Sequence, residues 1–272
     1  MTGRVIGATS RARRRRGHRA PVTVALPSSL VDRAGWDPGE SAAELGRRRR
    51  IVAGVSVVGA ALLGASLSTR PGSPQFYGLT LGVAVTWTAG GLGSGPLRLG
   101  DMRAHNDTLR RPVVMPVLIG IGTFVVFYGC ALVARRIPML KRAISSVLRY
   151  AHRGSDPLVL ITTLANGAAE EVFFRGALYS ALDGEYPIAL STGVYSLATT
   201  ATRNPALVFA SVVMGALFGL QRRTTGGVQA PMLTHLVWSL LMVRFLPPLF
   251  HEEDRGTTSS GSAPRPVDAS PA

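Results

Sequence analysis

Hydrophobic positions in this chain gather into long runs rather than short alternating stretches. The runs cover residues 51–68, 76–93, 113–134, 158–182, 187–201, 205–220 and 227–250, with very short links between the last three. A membrane span needs about 20 mostly apolar residues, and 113–134 meets that requirement most fully. The run 51–68 carries Gly and Ala suited to close helix packing, whereas 76–93 is rich in Gly and Thr. None of the runs shows the period-two alternation of a transmembrane barrel. Apolar runs of this length satisfy their backbone groups in lipid only as helices. The pattern predicts an all-α fold: a polytopic transmembrane helical bundle of about seven membrane segments. A further stretch, IPMLKRAISSVLRYAHR at 137–153, mixes basic and apolar residues after Pro138. It predicts an interfacial helix lying flat on the membrane.

Composition narrows the class. Of 272 residues, 46% are hydrophobic and 17% charged, too apolar for a disordered chain. Cys130 is alone, which excludes a disulfide scaffold or a zinc finger. The net charge of +15 is segregated: +8 over residues 1–50, +9 over 51–250 and −2 over 251–272. Basic blocks RARRRRGHR at 11–19 and RRRR at 47–50 lack aromatic interleaving or a recognisable motif, so no nucleic-acid partner is expected. Membrane lipid is the expected partner. Arg47 to Arg50 either hold the N-terminus inside or anchor it on anionic lipid. The first apolar run begins too late for a signal peptide. Four regions follow: a basic, disordered cytoplasmic tail at 1–50, membrane segments and basic loops at 51–157, a core at 158–250, and a disordered tail at 251–272. The loops 94–112 and 135–157 are both Arg-rich and both read as cytoplasmic, yet 113–134 separates them. Either the positive-inside rule fails once, or one early segment does not span. The Arg-dominated, Lys-poor, Ala/Gly-rich composition points to a GC-rich bacterial genome, and so to a multi-pass protein of the bacterial inner membrane.

One segment breaks the apolar rule. Within the runs, the carboxylates are Glu170 and Glu171, in LANGAAEEVFFRGALYSAL. Adjacent carboxylates inside a membrane segment are costly and mark functional sites by default. On a helix, Glu171 and Arg175 share a face four residues apart and pair. Glu170 points about 100° away and has no local partner. A carboxylate in a low-dielectric site suits the work of a general base. The alternative is structural: a Glu–Arg pair that pins helix packing, with the second Glu at a watery edge.

EEVFFRG, Glu170 to Gly176, matches EExxxRG, and MGALFGLQRRTTGGVQAPMLTHLVWS supplies a glycine-bearing helix, a basic turn, a small-residue turn and a helix containing His235. Over roughly residues 158–250 the chain resembles the CPBP family, the type II CAAX prenyl endopeptidases and their bacterial immunity and bacteriocin-processing relatives. The resemblance implies an intramembrane endopeptidase. In it Glu170 activates water, Glu171 pairs with Arg175, and His235 stabilises an oxyanion, ligates a metal or moves a proton. Two positions depart from the family pattern. In VYSLATTATRNP, Tyr195 takes the Phe position and Thr199 the His position of the middle motif. Ser239 stands where the last motif carries Asn. A catalytic zinc wants about three protein ligands, so the missing imidazole favours no metal, or a weakly held divalent ion, zinc being the family's implication. Metal-free hydrolysis would draw on Glu170 with donors from His235 and Ser239. Arg203 and Asn204 are candidates to replace the altered motif's polar contacts, and Thr199 is expected to line the site.

Three classes of function stand. The first is an endopeptidase cleaving a peptide or membrane-protein substrate. The second is a catalytically degenerate relative that binds a peptide or lipid-linked partner without cutting it. The third is a proton- or cation-linked transporter, against which stands the lack of a second copy of the glutamate segment.

Overall fold

Several helices begin where the sequence supplies a cap. In the computed structural model, which describes residues 40–103, 109–152, 154, 156–182 and 185–250, Ser41 opens α1 (Ala42–Ser66) through a reciprocal capping box with Glu44. Ser73 caps α2 (Pro74–Ser94), whose first residue is a proline, at a position that needs no backbone donor. Next come α3 (Val114–Ala134) and α4 (Pro138–His152). Helix α5 covers Asp156–Glu170 and runs on without a break through a π-helical stretch, Glu171–Leu178, into a last α turn, Tyr179–Ala181. Then follow α6 (Pro187–Thr200), α7 (Pro205–Thr225) and α8 (Gln229–Phe245). Asn204 caps α7, and Gly226 ends it with φ 72°, a left-handed conformation that suits glycine.

The fold is helical as the pattern predicts, with one addition. Met102–Arg103 and Leu109–Arg110 form a two-residue antiparallel ladder, too short to leave an alternating signal. The expected seven spans reduce to three helices long and apolar enough to cross a membrane by length and composition: α1, α3 and α7. The physical reasons differ. Helix α6 has 14 residues, about 21 Å, against a hydrocarbon core of about 30 Å. Helix α5 is interrupted by charge, and α2 is diluted by Gly and Thr. Residues 42–50, expected within the tail, are the first turns of α1, because the Ser41–Glu44 box starts the helix before its apolar part. The rest of that tail, 1–39, and the C-terminal tail, 251–272, lie outside the described residues.

Helix α2 packs against α1, α5 and the π stretch, α6 against α7, and α8 against α3. Trp87 of α2 meets Phe173 and Phe174 with ring centroids 4.6 and 5.0 Å apart, at the middle of a cluster that includes Val52, Val83, Ala177 and Leu178. A Cβ on Gly91 would come within 2.6 Å of Val172 Cγ1, so this approach of α2 to the π stretch depends on a small residue. The outer surface is apolar. On α3, Val114, Leu118, Val125, Val126 and Val133 are all exposed, as on a helix that faces lipid.

Hydrogen bonds fix the two ends of the bundle. At one end Arg47 Nη2 donates to Gly93 O (3.1 Å), Arg49 Nε to Ala181 O (3.0 Å), and Val228 N to Arg98 O (2.9 Å). At the other, the Tyr150 hydroxyl lies 2.6 Å from Leu67 O, and Asn204 Nδ2 donates to Ala143 O at 2.8 Å. The two Arg-rich loops therefore occupy opposite ends, with α3 between them.

Candidate active site

The site is built where α5 turns π-helical. A π-helical turn is rare and recurs at functional sites. Here it holds the second glutamate and its arginine. Arg175 Nη1 reaches Glu171 Oε1 at 3.2 Å, and both side chains have no solvent exposure. The guanidinium is also held between two rings, its Cζ 4.6 Å from the Tyr195 centroid and 5.0 Å from that of Phe218. Such cation–π contacts strengthen when desolvated. The Arg175 carbonyl accepts Nε–H of the buried Arg222 at 2.7 Å. This links α7 to the π stretch.

His235 arrives from α8. Its Nδ1 lies 2.9 Å from Glu171 Oε1, and its ring stacks on Phe218 at 4.8 Å. Gly167, one turn before Glu171, makes room for it: a Cβ there would touch His235 Cδ2 at 3.4 Å. A carboxylate facing a guanidinium is an acceptor, so Nδ1 donates to it. The ring is thereby oriented by Glu171.

Glu170 faces differently. It is half-buried, and the hydroxyl of Tyr195 on α6 donates to its Oε2 at 2.7 Å. Tyr195 is a site residue that the sequence reading passed over as a stand-in for Phe. The signal available was chemical: a tyrosine inside an apolar segment needs a partner for its hydroxyl. Thr199, one turn further, turns its Oγ1 to the Tyr195 carbonyl at 2.8 Å and makes no hydrogen bond to either glutamate or to His235. Ser239 is buried one turn beyond His235 and likewise makes none to them. Asn204 does not enter the site. It caps α7 through Ala206 N and Leu207 N and holds α4 through Ala143 O and Ser146 Oγ. Arg203 beside it sits in the left-handed region, φ 55°, and is exposed. Behind His235, Gln221 Nε2 donates to Thr234 Oγ1 (2.7 Å), which donates to Pro116 O (2.9 Å), joining α7, α8 and α3.

The donor set does not fit a zinc ion. Glu171 Oε1 faces Arg175 and His235, Glu170 Oε2 faces Tyr195, and among the described residues no group of three His, Cys, Asp or Glu side chains gathers for a metal.

Residues 154–241 match the family model described as Type II CAAX prenyl endopeptidase Rce1-like. Over that segment the chain is similar to the type II CAAX prenyl endopeptidases of the CPBP family. The match takes in α5 with its π stretch, α6, α7 and α8 as far as Leu241, so Glu170, Glu171, Arg175, Tyr195, Thr199, His235 and Ser239 all lie inside the matched segment. Helices α1 to α4 lie outside it. No curated protein and no solved structure matches the chain. That likeness relates the segment to a family of proteases, and the chain's apolar helices make it a membrane protein.

Proposed function

We propose that this CPBP-like protein is an intramembrane endopeptidase in which Glu170 activates water. The observation that carries the reading is the contrast between neighbours. Glu171 is sealed by Arg175 and His235, while Glu170 is half-buried, with one oxygen on the Tyr195 hydroxyl. In the proposed step Glu170 takes a proton from water, the water oxygen attacks the peptide carbonyl carbon, and the proton passes to the leaving amine as the C–N bond breaks. Tyr195 holds the Glu170 carboxylate in place, and Glu171 orients the imidazole so that its Nε2 is offered to water or to a polar substrate group. The substrate in this reading is a peptide or membrane protein, and the Arg-rich, Lys-poor composition supports a bacterial inner membrane as its site. Purified protein and its Glu170→Gln form, assayed side by side on a peptide library, test the proposal. Cleavage by the first and none by the second is expected; equal cleavage rejects the role of Glu170.

One observation favours a second reading, a relative that binds without cutting. The Thr199 hydroxyl is committed to its own helix backbone and replaces no imidazole. Absence of cleavage by the unaltered protein, with retention of a library peptide, would select it.

A further inference from the structure

Helix α4 meets the bundle near the ends of other helices. Tyr150 meets Leu67 O and Thr69 O just past α1, and its ring packs at a tilt against Phe76 at the start of α2 with centroids 4.7 Å apart. Leu148 and Ile144 pack with Ala131 in the last turn of α3, and with Leu246, Leu249 and Phe250 past α8. Asn204, in the turn between α6 and α7, donates to Ala143 O and Ser146 Oγ. A helix of 15 residues, about 22 Å long, that contacts so many ends lies across the bundle rather than along it.

Its two faces differ in chemistry. Ala143 and Leu148 are buried on the inner face. Met139, Arg142 and Arg149, at helical spacing, are exposed on the outer face, and Arg135, Arg136 and Ile137 are exposed just before it. Ile137 and Met139 are 44% and 60% exposed, so apolar side chains stand among the cations. Exposed Arg70, Arg203 and Arg244 belong to the same end. No Asp or Glu occurs from 108 to 155 in the sequence. Among the described residues Asp156, at the start of α5, is the one carboxylate at this end. The opposite end, by contrast, pairs Arg48 with Glu40 at 2.9 Å and places Arg111 3.6 Å from Asp101.

We propose that the outer face of α4 is a docking surface for anionic phospholipid headgroups. The cations supply the complementary charge, and Ile137 and Met139 supply apolar side chains that enter the boundary between headgroups and acyl chains. The surface is joined to the catalytic carboxylate by successive hydrogen bonds: Asn204 to Ala143 O, Asn204 N to Thr202 Oγ1, Thr202 Oγ1 to Thr199 O, Thr199 Oγ1 to Tyr195 O, and Tyr195 to Glu170. Docking itself does not depend on the proteolytic reading.

The test uses the full chain purified in a neutral detergent. It is titrated with phosphatidylglycerol or with phosphatidylcholine, and the unfolding midpoint is read from tryptophan fluorescence, since a ligand of the folded state raises it. Phosphatidylglycerol is expected to raise the midpoint several degrees beyond phosphatidylcholine, and salt to shrink the difference by screening. The Arg142→Gln/Arg149→Gln form should lose most of that difference, and Arg142→Lys/Arg149→Lys should keep it. Arg110→Gln, at the opposite end, should keep it as well. Equal shifts from the two lipids, an effect that survives in the α4 glutamine form, or one lost equally in both glutamine forms would overturn the proposal.

Discussion

Glu170 and Glu171 are neighbours in sequence and live in different media. Glu171 has no solvent exposure, an arginine at 3.2 Å and an imidazole at 2.9 Å. Its surroundings are rings: Phe218 stacks on His235, and Arg175 sits between Phe218 and Tyr195. Glu170, one residue earlier and on the other side of the helix, meets a single hydroxyl and stays half-buried. The difference separates structure from chemistry. A fully enclosed charge pair is difficult to use in a reaction, because moving its proton leaves the partner unpaired in a low dielectric. A carboxylate with one oxygen fixed and some access to solvent is free to exchange protons. The π stretch makes the division possible by carrying Glu171 and Arg175 into the core while Glu170 ends the α-helical part.

The comparison breaks first at Arg175. Arg175→Ala leaves Glu171 buried beside His235 alone, and loss of one partner of a buried pair costs about 3–5 kcal/mol. A thermal unfolding curve in detergent should record that loss; a midpoint close to that of the unaltered protein would mean the enclosed half is not structural. Glu170→Gln should do the opposite. Its fold should stay within about 1 kcal/mol, while cleavage falls by about 100-fold or more, as expected when a general base is removed. Equal destabilisation by the two substitutions would dissolve the distinction between the glutamates. Tyr195→Phe sharpens the comparison on the open side. It removes the one protein hydrogen bond to Glu170 Oε2, worth about 1.5–3 kcal/mol for a charged acceptor. Activity should fall by roughly tenfold, less than in Glu170→Gln, with the ring contact to Arg175 retained. Thr199→His should have the smallest effect on stability, since the hydroxyl it removes bonds only to its own helix. It adds an imidazole on the Tyr195 face, one turn away, and zinc retained after gel filtration, measured by elemental analysis, should rise above that of the unaltered protein. No rise would show that Thr199 does not stand where the family's histidine would.

Much of the architecture was legible in the chain. The apolar runs marked the helices because lipid leaves buried backbone groups no partner but one another, and Pro138 with its basic, amphipathic sequel marked α4. The Glu171–Arg175 pair was legible for a local reason: four residues on a helix bring two side chains to one face, whatever the rest of the fold does. The number of spans was not, because apolarity alone does not distinguish a helix that meets lipid from a shorter one that packs against neighbours, as the 14 residues of α6 show. Nor was the start of α1, where the Ser41–Glu44 box outweighed the basic composition of residues 47–50.

What the sequence by itself determined, then, is the set of helices and the identity of a charged segment that an apolar environment tolerates only with compensation. Only the tertiary structure decided who compensates whom. His235, 64 residues from Glu171, bonds to it rather than to Glu170, because α8 crosses α5 beside Gly167. Tyr195, 25 residues from Glu170, provides its hydroxyl, because α6 packs against the π stretch. Asn204, considered for its place after the altered motif, was directed elsewhere, to the start of α7 and to α4. Spacing along a helix fixes local neighbours, but partners on different helices depend on where small residues let those helices approach, and no local pattern encodes that distance.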